Sequence, residues 1–389
     1  MKKIKLNDIV KVNQSGEWGT GLKEGEIGTK VIRTADFNND GSINYDNVIF
    51  RNIQQKKIDE KKLIYGDIII EKSGGTDKNP VGRVVFFNDD NNIYLSNNFT
   101  QVIRIKESMN SKFVFYNLYF NYKNGSTLQM FNKTTGIQNL QMKQFLNQKI
   151  SYISLEEQEI AVRKLDNVRN IIEIKQKQLQ DLDELIKSQF VEMFGKAEYP
   201  RKTLNEVTNK ITDGSHNPPS GIEENEGYMM LSSQNIINNS INYDNARFLK
   251  KEDFEKENLR TNLNRGDVLL TIVGTVGRTA IITDETNITL QRSVAVLKPT
   301  EEINSIYLVG VINSEDVIRQ LTKGAKGVAQ KGIYLNDIKK ILIPVPPIEL
   351  QNQFADIVKQ IDKQKFEIQK SLEEMQNLQE SLMNKYFGG

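Results

Sequence analysis

The strongest constraint on the fold of this 389-residue chain is an internal repeat. Residues 150–195 align without a gap onto residues 343–388, and ten of the 46 aligned positions are identical. Upstream, the pentapeptide Ile-Asn-Tyr-Asp-Asn occurs at residues 43–47 and again at residues 241–245. We therefore expect two similar globular units, each followed by a similar helix. Such a pseudo-dimer suits a target that has two parts.

Composition excludes several classes of chemistry. The chain has no cysteine, which rules out disulfides and thiolate metal sites. Its only histidine is His216, which argues against imidazole metal sites and histidine-dependent catalytic triads. No apolar stretch approaches the roughly 18 residues that a membrane span needs. The basic start of the chain is not followed by the apolar core of a signal peptide, so we expect a cytoplasmic protein without membrane contact.

The positive charge is concentrated in the first unit. The whole chain carries a net charge of only +2. Residues 1–150, however, contain 22 Lys and Arg against 15 Asp and Glu, whereas residues 200–343 contain 18 of each class. A surplus of basic residues on a globular unit is compatible with a nucleic-acid partner, although a solvated surface gives the same count.

Both units are predicted to mix strands and helices, because short apolar runs alternate with turn residues. The predicted strands are 67–70, 81–87, 102–105, 268–273 and 293–297. The predicted helices are 112–122 and 306–321.

The two repeated stretches, residues 155–193 and 348–386, have the spacing of a coiled coil. Apolar residues recur at alternating steps of four and three, and neither stretch contains Gly or Pro. We expect two long helices that pack antiparallel on each other; the alternative is that each lies on its own unit. Polar seam residues at 175, 365 and 379 are expected to help fix the register. The predicted seam residues are Leu165, Val168, Ile172, Leu179, Leu182, Val358, Ile361, Ile368, Leu372 and Met375.

A search for catalytic motifs fails. The segment 217–220, Asn-Pro-Pro-Ser, lacks the aromatic residue that an amino-methyltransferase stacks on its flipped base. Asp67 with Glu71 comes nearest to a nuclease carboxylate pair, but Thr271 replaces the glutamate in the second copy. The sequence also lacks a phosphate-binding P-loop. Recognition is therefore a better prediction than catalysis.

Polar and glycine-rich loops recur at matching places in the two units. Glycines let the main chain approach a phosphate, Lys and Arg supply the opposite charge, and Arg, Gln and Asn read base edges. The candidate DNA-binding residues are Lys78, Arg83, Asn97, Asn98, Lys133, Asn139, Ser215, His216, Thr275, Arg278, Gln291, Arg292, Lys326, Gln330 and Lys331.

Several of these features together carry a family resemblance. They are the ordered repeat, the Pro-Pro-x-x-x-Gln pattern at residues 346–351, its degenerate counterpart at 150–158, and the segments 212–216, 266–267 and 274–277. The chain resembles the specificity (S) subunits of Type I restriction-modification systems over essentially its whole length.

The resemblance implies an α+β fold, with two repeated mixed α/β target-recognition domains separated by two long helices that form an antiparallel coiled coil. It implies target-recognition domains at 1–150 and 196–343 and spacer helices at 151–195 and 344–389. Each recognition domain is expected to read one half of a bipartite site in double-stranded DNA, while the helices set the gap.

The same resemblance implies partners and cofactors. Two methyltransferase (M) subunits are expected to dock on the helices, and restriction (R) subunits to complete the complex. No cofactor is expected in this chain, and S-adenosylmethionine, ATP and Mg are expected on the partner subunits. Two alternatives stay open: a self-contained DNA methyltransferase or nuclease, and a coiled-coil adaptor that binds no nucleic acid.

Overall fold

The computed structural model of the chain describes residues 2–134, 136–223, 227–283, 287–324 and 332–388. The chain divides into two compact units. The first contains Met1–Gln176 and Lys370–Gly389, and the second contains Lys177–Gln369. Each unit therefore contains one globular module and a part of both long helices. The four-segment division expected from the sequence stays a prediction.

The first module is built from short strands and helices, and the first long helix follows it. Its strands are β1 (Lys2–Lys5), β2 (Val10–Ser15), β3 (Thr29–Ile32), β4 (Ile49–Arg51), β5 (Ile68–Glu71), β6 (Ser73–Gly74), β7 (Val84–Phe86), β8 (Tyr94–Ser96), β9 (Thr100–Ile105), β10 (Phe131–Thr134), β11 (Ile137–Leu140) and β12 (Lys149–Tyr152). Its helices are α1 (Leu6–Ile9), α2 (Gln55–Lys61), α3 (Ser111–Lys123) and α4 (Met142–Asn147), followed by the long α5 (Leu155–Phe194). A turn of 3₁₀ helix covers Thr34–Asp36.

The second module follows the same plan. Its strands are β13 (Arg201–Thr203), β14 (Thr208–Asp213), β15 (Met229–Leu231), β16 (Ile236–Ile237), β17 (Ser240–Ile241), β18 (Arg247–Phe248), β19 (Val268–Thr271), β20 (Thr279–Ile281), β21 (Ile288–Leu290), β22 (Val294–Pro299) and β23 (Leu342–Pro344). Its helices are α6 (Lys251–Thr261), α7 (Ser305–Ile312), α8 (Glu315–Gly324) and α9 (Leu335–Ile338), followed by the long α10 (Ile348–Phe387). A 3₁₀ turn covers Ser233–Asn235.

Sheet topology shows that the two modules are copies of one design. Each has an antiparallel four-stranded sheet, with the order β2-β9-β5-β7 in the first and β14-β22-β19-β20 in the second. Each has a three-stranded sheet, β4-β3-β8 or β18-β15-β21, in which β3 and β8, or β15 and β21, run parallel. A two-stranded sheet, β1-β12 or β13-β23, joins the start of each module to its end. The predicted fold, with two repeated mixed α/β modules and two long helices, is confirmed.

The four-stranded sheet is buried on both faces, which explains its continuous apolar runs. In β5, Ile68 and Ile70 pack into the cluster that contains α3, while Ile69 points to the opposite face and packs with the three-stranded sheet. The strand β19 repeats this alternation, because Val268 and Leu270 pack in one cluster with α7 and Leu269 packs on the opposite face with the three-stranded sheet. Because successive side chains of a strand point to opposite faces, one short strand supplies both layers of the core.

Most of the predicted elements appear in the structure, but one helix is divided. The predicted helix 306–321 forms α7 and α8, which are separated at Asn313 and Ser314. The amide of Asn313 donates to the hydroxyl of Thr279 (3.1 Å), and the hydroxyl of Ser314 accepts from the main chain of Val317 (3.5 Å). Side chains of these types compete with the helical hydrogen bonds, so the apolar pattern continues while the helix does not.

A buried glutamine fixes the start of each long helix to its module. Gln158 is fully buried, donates to the carbonyl of Ile153 (2.8 Å) and accepts from the main chain of Asn110 (2.8 Å). Gln351 makes the same pair of contacts, with Pro346 (2.8 Å) and Asn304 (2.9 Å). The two asparagines are also the N-caps of α3 and α7. The repeated glutamine of the sequence is therefore a structural latch.

The seam predicted for the long helices matches the observed burial. In α5 the positions 161, 165, 168, 172, 175, 179, 182 and 186 are buried or partly buried, while most residues between them are exposed. The corresponding positions of α10, from 354 to 386, follow the same rule. All ten predicted seam residues are among these buried or partly buried positions, and their assignment to a helix–helix seam stays a prediction. Forty residues of helix measure about 60 Å.

Contacts within the second unit show that the helices run antiparallel. The rings of Phe190 and Phe354 lie 5.5 Å apart, and Lys365 Nζ lies 2.6 Å from Asp183 Oδ1. Residues of α5 thus meet residues of α10 in opposite order along the two helices. The polar seam residue at 365 pairs with a carboxylate, which agrees with its expected role in fixing the register.

Each globular core is completed by the far end of the other copy's helix. In the first unit, Phe387 at the end of α10 packs against Phe113 (5.1 Å between ring centres) and Phe120 (6.0 Å) of α3. In the second unit, Phe194 at the end of α5 packs against Tyr307 of α7 (4.8 Å). Neither module therefore has a complete core without both helices.

Two classes of site do not occur in the described part of the chain. None of its helices is both long enough and apolar enough to cross a membrane. Within the same residues, no three acidic or histidine side chains are grouped as a metal site would require.

Charging the seam should destabilise the protein. The variant Leu372→Glu replaces a side chain that is only 5% exposed, so it should lower the free energy of unfolding by at least about 3 kcal/mol. The matched variant Leu378→Glu lies on the same helix but is 41% exposed, and it should change stability by less than about 0.5 kcal/mol. Urea unfolding followed by circular dichroism measures both, and equal midpoints would contradict the seam assignment.

Removing the glutamine latch should also weaken the fold. Gln158→Leu leaves the main-chain groups at Asn110 and Ile153 without their partner, so we expect a loss of about 1–3 kcal/mol. The control is Gln176→Leu, the same substitution at an exposed position of α5, which should leave the thermal midpoint unchanged. A Gln158→Leu variant as stable as its control would show that the latch is dispensable.

Candidate nucleic-acid interface

Two predicted contact segments occupy equivalent positions in the two modules. Asn97 and Asn98 lie in the turn between β8 and β9, and Gln291 and Arg292 lie in the turn between β21 and β22. The main chain of Asn97 donates to Ile32 at the end of β3 (2.9 Å), and that of Gln291 donates to the end of β15 (2.8 Å). We call these the first turn (residues 97–99) and the second turn (residues 291–293).

A glycine allows a second loop to lie against each turn. After Gly16, the main-chain N–H of Glu17 donates to the carbonyl of Ser96 at the end of β8 (2.7 Å). After Gly214, the N–H of Ser215 donates to the carbonyl of Leu290 at the end of β21 (2.7 Å). A Cβ on Gly214 would come within 1.9 Å of the carbonyl oxygen of Leu290, and one on Gly16 within 2.0 Å of that of Asn97. No side chain fits in either place, so both loops require glycine.

The second module has a polar cleft beside its turn. The cavity has a volume of about 430 Å³ and is lined by Met230, Ser232, Ser233, Gln234, Asn235, Asn245, Arg247, Val273, Gln291, Arg292 and Ser293. Within the described residues, the side chains of Gln234, Asn245, Gln291 and Arg292 make no hydrogen bond. Amide groups can donate and accept hydrogen bonds and a guanidinium can donate them, so these side chains are available to bind the polar edge of a ligand.

The first turn is held against a hairpin that carries other candidate residues. The carbonyl of Phe99 accepts from the main chains of Lys72 (2.9 Å) and Ser73 (3.1 Å). The strand β6 then pairs with β11, where Ser73 lies opposite Asn139, and their side chains are hydrogen-bonded. Lys133 lies on the neighbouring β10. The structure thus brings together candidates from two separate segments of the sequence, the first turn and the hairpin of β10 and β11.

The second module has the same arrangement as far as it is described. The main chain of Ile272 donates to the carbonyl of Ser293 (2.9 Å), and Val273 bridges to Gly332. The predicted contacts Lys326, Gln330 and Lys331 lie outside the described residues.

Repeat-related arginines have different surroundings. Arg83 Nε lies 2.7 Å from Glu71 Oε2, and its Nη2 donates to the carbonyl of Thr34 (3.0 Å), so the fold uses this guanidinium. In the second module Thr271 replaces the glutamate. Arg278 is exposed there, and its guanidinium makes one long contact, 3.3 Å, to the carbonyl of Ile236. The guanidinium of Arg278 is therefore more available to an outside ligand than that of Arg83.

Other candidates also differ in availability. Asn97 and Ser215 are buried, so their side chains are less accessible to a ligand than those of the exposed candidates. Lys133 is exposed but paired with Asp77 (2.8 Å), and His216 is exposed with Nε2 2.9 Å from Asp213 Oδ2. The exposed candidates whose side chains have no hydrogen-bond partner among the described residues are Lys78, Asn98, Thr275 and Arg292.

Burial affects one lysine beside the first turn. Lys72 Nζ donates to the hydroxyl of Ser15 (2.5 Å) and lies near Lys61. Desolvation, together with the like charge of Lys61, lowers the pKa of Lys72. An anion bound beside Lys72 would stabilise its protonated form and so oppose this lowering of its pKa.

Sequence reasoning missed two cleft residues, Gln234 and Asn245. A signal for the second was present, because Asn245 ends the repeated pentapeptide. In both copies the first asparagine of the pentapeptide accepts from the main chain of its aspartate, at 3.0 Å for Asn44 and 2.8 Å for Asn242. The repeat of letters is thus a repeat of one side-chain-stabilised turn.

Comparison with known proteins identifies one family. The family described as "Type I restriction modification DNA specificity domain" matches residues 1–184 and 198–376. The chain is 27% identical over 174 residues to the Type I restriction enzyme EcoBI specificity subunit of Escherichia coli, which covers 43% of this chain and 36% of that protein. It is 27% identical over 314 residues to the MjaVIII specificity subunit of Methanocaldococcus jannaschii, covering 73% of this chain and 72% of that one.

Solved structures share the fold. The S subunit of a Type I restriction-modification system from M. genitalium superposes with a TM-score of 0.58 at 15% identity, covering 99% of this chain and 96% of that chain. A chain from a structural study of the assembly and conformational transition of a type I R-M system gives a TM-score of 0.54 at 18% identity, with 99% and 97% covered.

The two arginines should respond differently to the same substitution. Arg83→Gln leaves Glu71 buried without its partner and should cost about 3 kcal/mol of stability. Arg278→Gln changes an exposed side chain and should leave the unfolding midpoint within about 0.5 kcal/mol of the wild type. Thermal melts of the two variants test this, and equal stability losses would contradict the assigned roles.

Proposed function

The chain belongs to the family of Type I restriction-modification DNA specificity proteins, and from this we propose that it is the sequence-recognition subunit of such a system. Each module reads one half of a bipartite site in double-stranded DNA. Specificity subunits are the non-catalytic members of these systems, so the chemistry belongs to other subunits.

The equivalence of the first and second turns is the observation that carries this proposal. The first turn follows β8 and the second follows β21, the strands that run parallel to β3 and β15 in the three-stranded sheets. In both turns the first residue donates its main-chain N–H to the end of that parallel neighbour. Their exposed side chains differ, with Asn98 in one and Arg292 in the other. One frame that presents different side chains supports two different half-site sequences.

The side chains beside the second turn have the chemistry of base recognition. An arginine bonds the O6 and N7 acceptors of guanine, and an amide side chain bonds the N6 and N7 groups of adenine. Arg292, Gln291, Gln234 and Asn245 line one cleft, and their side chains have no hydrogen-bond partner among the described residues. We assign this cleft to the base edges of the second half-site.

Phosphate contacts belong to the exposed basic residues of the loops. Lys78 and Arg278 are exposed, and neither is held in an ion pair with a described residue. The excess of basic residues in positions 1–150 adds a favourable field for DNA. Binding that depends on such contacts weakens steeply as salt rises.

The long helices supply the remaining functions. We assign to α5 and α10 the spacing between the half-sites and the docking of two methyltransferase subunits. Restriction subunits join the same complex. S-adenosylmethionine, ATP and Mg²⁺ are needed on those partners, for adenine methylation and for translocation and cleavage.

Methylation mapping tests the proposal directly. When the chain is co-expressed with the methyltransferase of its system, sequencing of modified bases should show one motif with two specified parts and a fixed unspecified gap. Arg292→Ala should relax the specified bases of one part only, at a cost of about 1–3 kcal/mol in discrimination. Asn98→Ala should relax the other part.

Three results would count against the proposal. A continuous palindromic motif would contradict the two-reader assignment, as would a variant that alters both parts together. Methyl transfer by the purified chain alone, from labelled S-adenosylmethionine to DNA, would show that the chain is itself an enzyme. Binding of neither specific nor non-specific DNA at low salt would favour a protein adaptor.

A further inference from the structure

Phe99 completes the first turn and is exposed at the place where the module meets its target. Its side chain is 46% exposed, although the strands on either side of it are largely buried. The position matters more than the exposure, because single exposed apolar residues are common on protein surfaces. Its repeat-related partner is Ser293, which lines the polar cleft of the second module.

The main chain fixes where this ring is presented. The carbonyl of Phe99 accepts two hydrogen bonds, from Lys72 (2.9 Å) and Ser73 (3.1 Å). On either side, Asn97 is tied to β3, and the N–H and hydroxyl of Thr100 both donate to the carbonyl of Asn97, at 3.1 and 2.7 Å. A ring on so constrained a turn loses little conformational entropy when it binds.

The surroundings of the two equivalent residues differ in chemistry. In the second module the hydroxyl of Ser293 accepts from the main chain of Ser233 (3.0 Å), which ties the turn to the neighbouring 3₁₀ turn. In the first module the corresponding 3₁₀ residue is Thr34, whose carbonyl accepts from the guanidinium of Arg83 (3.0 Å). Phe99 makes no such tie, and its neighbour Asn98 is an exposed amide. The first turn thus presents an amide and an apolar ring side by side.

We infer that Phe99 recognises the 5-methyl group of a thymine in the half-site read by the first module. In the major groove an A·T pair offers an acceptor and a donor on adenine and an apolar methyl group on thymine. An amide suits the first pair of groups, and a phenyl ring suits the methyl. This inference rests on the proposed function and adds one base and one chemical group to it.

Replacement of thymine by deoxyuridine tests the inference, since it removes the methyl group and keeps the base pair. The full chain, assembled with its methyltransferase, is titrated with duplexes that carry the split motif. The first half-site is the part that Arg292→Ala leaves unchanged. Each thymine there, on either strand, is replaced in turn. One replacement should weaken binding by the wild type about four-fold, as expected for one methyl group.

Variants identify the residue responsible. Phe99→Ala should bind thymine and deoxyuridine duplexes equally, while Phe99→Leu should keep part of the difference. Phe50→Ala is the control, because Phe50 is a similarly exposed phenylalanine (51%) on the edge strand β4, and this variant should keep the full difference.

The outcomes separate the inference from the proposed function. A wild type that binds the split motif but distinguishes no thymine from deoxyuridine overturns the inference alone. A first half-site without thymine, or a Phe99→Ala variant that still discriminates, does the same. A wild type that binds no split motif overturns the proposed function, and the inference with it.

Discussion

Aromatic packing at the helix ends is the interaction on which the rest of the structure depends. Phe387, the last helical residue of the second copy, lies in the core of the first unit against Phe113. Phe194, its counterpart in the first copy, lies in the core of the second unit against Tyr307. Burial of such rings is among the largest single contributions to a core. Each unit therefore needs both halves of the chain, and the two modules are coupled in folding even though their sheets are separate.

On this shared frame, small substitutions decide which groups face outward. One exchange, Glu71 for Thr271, accompanies a change in the arginine that follows, since Arg83 is paired and partly buried whereas Arg278 is exposed. A buried carboxylate must be paired, so it holds Arg83 in place. A threonine imposes no such demand, and Arg278 is exposed. Divergence between two copies of one fold can thus produce different binding surfaces without any change of topology.

The sequence predicted the features that depend on local periodicity. The seam of α5 and α10 follows from steps of four and three, and the buried strands follow from short apolar runs. Features that depend on distant partners were not predictable. The packing of Phe387 in the other copy's module, against Phe113, joins residues 274 positions apart. The burial of the candidate Asn97 could not be recognised, since its main chain contacts Ile32 and Gly16, which are remote in sequence. The division between α7 and α8 combines both kinds of contact, since Asn313 donates to the distant Thr279 while Ser314 accepts from the nearby Val317.

The glutamine latch has a consequence for how such a protein changes over time. Hydrogen bonds from Gln158 and Gln351 have fixed lengths and directions, so the angle at which each long helix leaves its module is set far inside the molecule. Exposed turns can then accept new side chains while the helices keep their orientation. Substitutions confined to the exposed turns can therefore change which chemical groups each module presents, while the direction in which α5 and α10 leave the modules stays the same.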